Sequence, residues 1–216
     1  MKIVGIERPV EGARVVLRQV GADDREIEGE RLPLVGRAYG VIDILLADII
    51  EATAGVADMT VQRQRRIRNR QPELAEFVEE MFETMYAAQG IGLAAPQIAV
   101  SKQITVIDVS FKERPEDKIV LINPEIIDRQ GKQIEEEGCL SLPDIREKVA
   151  RASWVKVRAQ NVKGEFFEVE GEELLSRALQ HEIDHLHGIL FLDHLSLLKR
   201  DLVKRRIKKL QKNGEW

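Results

Sequence analysis

His181 and His185 stand one helical turn apart in the segment His181-Glu182-Ile183-Asp184-His185. On a helix, side chains four apart share a face, so both imidazoles can reach one cation. Glu182 then projects near an open coordination position, where a carboxylate can take a proton from bound water. The same five residues could also be two satisfied histidines and a surface Glu, and the motif alone leaves both possibilities standing. A catalytic zinc-type centre needs a third protein ligand. One protease class places a histidine six residues after the second; Gly188 fits that pattern, but position 191 is Phe191. Another class uses a downstream Glu, yet the acids after His185 are Asp193, Asp201 and Glu215, and no Glu-bearing helical pattern surrounds the first two. Cys139 is the remaining soft candidate, although a lone cysteine is most often a buried hydrophobe. His187 and His194 lie off the ligand face or beyond the helix and read as structural or surface residues.

These groups need elements to hold them. The apolar run Leu174, Leu175, Ala178, Leu179 leads into the histidine motif and predicts a helix over residues 172–186. A second helix is predicted over 72–89, with Pro72 in its first turn, an apolar stripe of Leu74, Phe77, Val78, Met81, Met85 and Tyr86, and Gly90 as its stop. A basic helix is predicted over 196–212. Residues 103–109 and 118–122 read as strands, and 153–160 with 165–170 as a hairpin about Asn161-Val162-Lys163-Gly164. Residues 1–40 read as short strands and turns (13–20 and 24–28), and 41–54 as a short amphipathic helix. The run Arg63, Arg65, Arg66, Arg68, Arg70 reads as a solvated face or linker. Strands interleaved with a few helices indicate an α+β fold rather than a regular parallel α/β one.

Composition narrows the function classes. A formal net charge of -4 argues against general nucleic-acid binding. Cys139 is the single cysteine, so no intrachain disulfide can form, which suits a reducing compartment. Glu7 and Arg8 interrupt the start before any signal-peptide core could form, and the apolar stretch 41–50 contains Asp43 and Asp48. A soluble cytoplasmic protein without a membrane span is the expectation.

Three segments in order resemble the peptide deformylase family: Gly90-Ile91-Gly92-Leu93-Ala94-Ala95-Pro96-Gln97, Glu137-Gly138-Cys139-Leu140-Ser141, and Gln180-His181-Glu182-Ile183-Asp184-His185. The resemblance covers roughly residues 70–212. It implies hydrolysis of the formyl group from the N-terminal formylmethionine of new polypeptides. It implies an α+β fold with mixed and antiparallel sheets around the histidine-bearing helix. Cys139, His181 and His185 are then the metal ligands, with Fe²⁺ preferred and Zn²⁺, Ni²⁺ or Co²⁺ accepted. Glu182 is the general acid/base, and Gln97 and the backbone N–H of Leu140 face the formyl oxygen. Gly90 and Gly92 fit a strand that a substrate backbone approaches closely, with Gly90 also capping the helix. Ile91, Leu93, Leu140, Ala178 and Leu179 are candidates for an apolar methionine pocket, each weighed against plain core packing. The basic residues of 196–213 imply a ribosomal partner, against the simpler reading of a solvated helix whose Leu197, Leu198, Ile207 and Leu210 pack inward.

Residues 1–65 fall outside the resemblance and form an unassigned segment, leaving 66–216 as the catalytic domain. Family members begin with a strand and a Pro-Asp-Pro turn, of which Arg66-Ile67-Arg68 is only an echo. Two other classes remain. A protease built on the same helix would need a third ligand other than Cys139. A silent ribosome-binding relative would be expected to lack Glu182 or a ligand, and this chain has all of them.

Overall fold

The computed structural model describes residues 16–19 and 72–213. The strand expected over 24–28, the helix over 41–54 and the arginine run of 63–70 lie outside those residues. In chain order the elements are β1 (Val16–Gln19), α1 (Pro72–Ala87), β2 (Gly92–Ala94), β3 (Ile104–Ile107), β4 (Ile119–Gln130), β5 (Gln133–Cys139), β6 (Leu142–Arg151), β7 (Trp154–Gln160), β8 (Phe166–Glu172), α2 (Glu173–Leu186) and α3 (Leu197–Asn213). Six strands form one sheet in the order β1-β8-β7-β4-β3-β2, and β5 pairs with β6 in a second. Every pairing among the described residues is antiparallel. This is the expected α+β fold.

Alternation along the strands divides the core into two layers. Ile107, Ile119, Leu121, Val157 and Val169 face α2, where they meet Leu175, Ala178, Leu179 and Ile183. Leu93, Ile104, Val106 and Ile122 face the other way and meet Leu74, Val78, Met81, Phe82 and Met85 of α1. The central helix α2 is therefore buried nearly all round. Its buried polar side chains must find partners, because an unpaired one costs free energy. Ser176 Oγ and Gln180 Nε2 both donate to Ala152 O, and Gln180 Oε1 accepts from Ala152 N.

The stop of α1 differs from expectation. Gln89, at φ 56°, occupies the left-handed position that ends the helix. Its N–H bonds Tyr86 O, and the Gly90 N–H reaches back to Met85 O. These two bonds define a Schellman motif in which Gly90 is the residue after the left-handed one. At the end of α2 glycine does take that place, at Gly188 (φ 71°). Another difference concerns α3: Leu197 and Leu198 are 72% exposed, and Val203, Ile207 and Leu210 make the inward contacts.

The start of β2 is pinned by Asp108, whose N–H donates to Ile91 O. The buried Asp108 carboxylate accepts from Tyr86 Oη (2.5 Å), Ser110 N (2.9 Å), Ser110 Oγ (2.7 Å) and Lys112 N (2.9 Å). Burial works to raise its pKa, but these donors outweigh it and hold it below the usual carboxylate value. A depressed folded-state pKa contributes stability above the unfolded value of about 3.9, lost as pH falls through the lower folded value. Asp108→Asn places an amide against donors, and should cost about 2 kcal/mol at neutral pH. Urea unfolding at a series of pH values checks this; the gap between parent and variant should be constant near neutrality and shrink below about pH 4.

Candidate metal centre

The donor atoms of Cys139, His181 and His185 lie within 4.8 Å of one another, and all three residues are buried. Cys139 ends β5, while both histidines project from one face of α2. Cys139 Sγ stands 3.2 Å from His185 Nε2, and the two Nε2 atoms are 3.1 Å apart. Ligands of one tetrahedral zinc-type ion sit roughly 3.3–3.6 Å apart, given bond lengths of about 2.0 Å to nitrogen and 2.3 Å to sulfur. The Cys139–His185 and His181–His185 separations come close to that spacing. Burial pushes the Cys139 thiol up, yet His185 and His181 beside it hold it well below the ordinary thiol range. Burial likewise opposes protonation of His181, but the Cys139 sulfur and the Glu137 carboxylate outweigh it and raise its pKa to about 10. A thiolate beside a protonated imidazole is an arrangement in which a divalent cation would take the place of the proton.

Glu182 is fully buried, and neither carboxylate oxygen accepts a hydrogen bond among the described residues. Burial raises its pKa, with His181 and His185 pulling the other way. An orphaned, buried carboxylate with raised pKa beside a ligand trio is poised to take up a proton. Gly92 makes room for it: a Cβ there would stand 2.3 Å from Glu182 Oε1. The orientation of Gln97 is also set. Its Oε1 accepts from Ala94 N at 2.8 Å, so its amide NH₂ must point away, to Ser141 Oγ at 3.3 Å and Cys139 Sγ at 3.7 Å. Leu140 and Ser141 form the two-residue connection between Cys139 and Leu142, so Leu140 directly flanks the thiolate.

The remaining candidate positions are dispersed. Gly90 lies in the α1 cap. Ile91 sits at a bend before β2 and joins the cluster on the α2 side. Leu93 faces the opposite side of the sheet and packs with α1, so it does not share a pocket with Ile91; the bend at Ile91 breaks the two-residue alternation. Ala178 and Leu179 are fully buried between α2 and the sheet, as core packing. His187 Nδ1 pairs with Ile183 O at the end of the helix, and His194 with Asp184 at 2.7 Å.

A family model described as polypeptide deformylase matches residues 52–201. A peptide deformylase of Acidobacterium capsulatum is 71% identical over 144 residues, covering 67% of this chain and 85% of that protein. The chain belongs to the polypeptide deformylase family. Solved deformylases share its architecture. That of Legionella pneumophila superposes with a TM-score of 0.64 at 43% identity, covering 70% of this chain and 88% of its own. That of Synechococcus elongatus, in complex with actinonin, gives 0.63 at 37% identity, covering 71% and 81%. As a deformylase the chain is a metal-dependent hydrolase that removes the N-formyl group from new polypeptides.

The sequence alone had not pointed to a layer behind the candidate donors. His181 Nδ1 bonds the fully buried Glu137 carboxylate at 3.1 Å. Arg151 grips that carboxylate with Nε at 2.9 Å and Nη2 at 3.0 Å. Its Nη1 reaches Asp184 Oδ2 at 2.5 Å. Burial favours a neutral Glu137, but His181 and Arg151 prevail and lower its pKa to about 2. The available signal was the spacing of Glu137 and Cys139, two apart and so on one face of a strand.

Proposed function

We propose that Cys139, His181 and His185 hold one divalent metal, Fe²⁺ for preference with Zn²⁺, Ni²⁺ or Co²⁺ as substitutes, and that Glu182, Gln97 and Leu140 carry out formyl hydrolysis beside it. The observation that carries this reading is the Glu182 carboxylate, buried and unpartnered next to the ligand trio. Such an ion supplies Lewis acidity toward the formyl oxygen and lowers the pKa of water. Glu182 accepts a proton from the water that attacks the formyl carbon and then gives it to the departing amine nitrogen as the C–N bond breaks. The Gln97 NH₂ and the Leu140 N–H donate to the oxygen on which negative charge develops; one such donor is typically worth about 3 kcal/mol.

Gly90, Ile91 and Gly92 approach the sheet edge formed by β2, where a peptide backbone can align. Ile91 is the side chain retained for the methionine pocket, with Ala178 behind it on the α2 side of the sheet, whereas Leu93 and the half-buried Leu140 pack on the α1 side. Residues 66–216 act as the catalytic unit; 1–65 carries no assigned role, although its strand β1 pairs with β8 at the edge of the main sheet and the family match begins at residue 52. Lys199, Arg200, Lys204, Arg205, Arg206, Lys208, Lys209 and Lys212 give α3 a basic surface beside the exposed Leu198 and Leu202, suited to docking on the ribosome where substrates emerge. The setting is cytoplasmic; among the described residues no helix is long and apolar enough to cross a membrane.

The test is formate release from a short formyl-Met peptide by protein loaded anaerobically with Fe²⁺. Release should track metal content. Metal-loaded protein that yields no formate would sink the reading for this chain.

A further inference from the structure

Arg151 touches none of the three donor atoms, yet the centre is organised around it. Its side chain is 3% exposed and Glu137 is 0% exposed. A buried carboxylate this deep is held ionised only by a matched partner, and the guanidinium supplies two of its five donors to it in a fork. A third donor, through Nη1, goes to Asp184, which adjoins His185 in the chain and accepts from His194 Nε2. One cation therefore fixes two carboxylates, one against the ring of His181 and one at the root of His185. Arg151 pairs with Gln133 at the open end of the β5–β6 hairpin, whereas Glu137 pairs with Glu147 nearer the turn. The guanidinium thus reaches along the hairpin to its target, and this geometry serves something beyond strand pairing.

We propose that Arg151 is a positioning residue of the metal centre, acting through Glu137 to lock the ring orientation and tautomer of His181. The Glu137 carboxylate accepts the Nδ1–H of His181, which turns Nε2 toward Cys139 and His185, the position from which it would donate to a metal in place of a proton. Without Arg151, Glu137 loses its fork, and the proton on Nδ1 loses its fixed acceptor. Outer partners of this kind typically contribute 10- to 100-fold in metal affinity. The proposal rests on the metal-binding reading above.

The experiment measures Zn²⁺ affinity by chelator competition, and the visible spectrum of Co²⁺-loaded protein, for the parent, Arg151→Met, Arg151→Lys, Glu137→Gln and the Arg151→Met/Glu137→Gln double variant. Circular dichroism of the metal-free proteins reports folding. Arg151→Met and Glu137→Gln should each weaken Zn²⁺ by about 10- to 100-fold and shift the Co²⁺ bands. The double variant should lose little more than either single one, because the two act in series. Arg151→Lys, which keeps the charge without the fork, should lie between and stands in if Arg151→Met does not fold. Folded variants with parental affinity and spectrum, or losses that simply add, would overturn the proposal while leaving the metal site intact. A parent that binds no Zn²⁺ would remove both readings together.

Discussion

Glu182→Gln should lower formate release by about 10²- to 10⁴-fold while the protein keeps its full metal content, as expected of the proposed proton carrier that is not among the donors. The size of the effect follows from the environment. The carboxylate is fully buried, accepts no hydrogen bond among the described residues, and has its pKa raised by burial. A group in that state is held ready to accept a proton and destabilises the resting fold slightly. The isosteric amide removes a buried charge, so the melting temperature of the variant should equal or exceed the parent's. Steady-state kinetics, metal analysis and thermal unfolding measured together make the test. A variant that is inactive because it has lost metal or fold would contradict the assignment, as would one that keeps its rate.

Gly92→Ala should lower kcat by about 100-fold without weakening metal binding. The added methyl would lie 2.3 Å from Glu182 Oε1, 2.7 Å from Cδ and 2.8 Å from Cγ, all too close for real contacts. Glu182 is walled in, so the conflict is resolved by shifting its carboxylate or the β2 backbone. A displacement near 1 Å at the reacting groups can cost about 10²-fold. The glycine therefore serves the carboxylate as well as any approaching peptide. Equal kcat in parent and variant would show that the Glu182 position tolerates such a shift, and the proton-carrier geometry above would need revision.

Much of the architecture was legible because periodicity and turn chemistry agree locally. The α1 stripe, the β7–β8 hairpin and the α2 helix with its two histidines all follow the expected spacing, with boundaries moved by one to a few residues. The β5–β6 hairpin was not expected. Glu135-Glu136-Glu137 presents no apolar alternation, because Glu137 is buried as an ion held by Arg151 rather than as a hydrophobe. For the same reason the partners behind His181 were invisible: a buried ion pair is matched across the tertiary structure, and Arg151 lies fourteen positions from Glu137 in the chain. Gln89 in the left-handed position of the α1 cap gave no sign either, since glycine is the residue normally found there. The site candidates of the three matching segments, by contrast, follow from the family resemblance, and Cys139, His181, His185, Glu182, Gln97 and Leu140 do converge in space.

The packing behind Cys139 has a temporal consequence. The cysteine shares its cluster with Phe191, Leu192 and Val203, residues that follow both histidines in the chain. A ribosome making this protein delivers Cys139 first, His181 and His185 later, and the side chains that close over the sulfur last of all. From the time it is made, the thiol therefore lacks the side chains that close over it until residues 191–203 have followed and α3 folds back onto the hairpin. Until then the sulfur is the group of this cluster most open to oxidants.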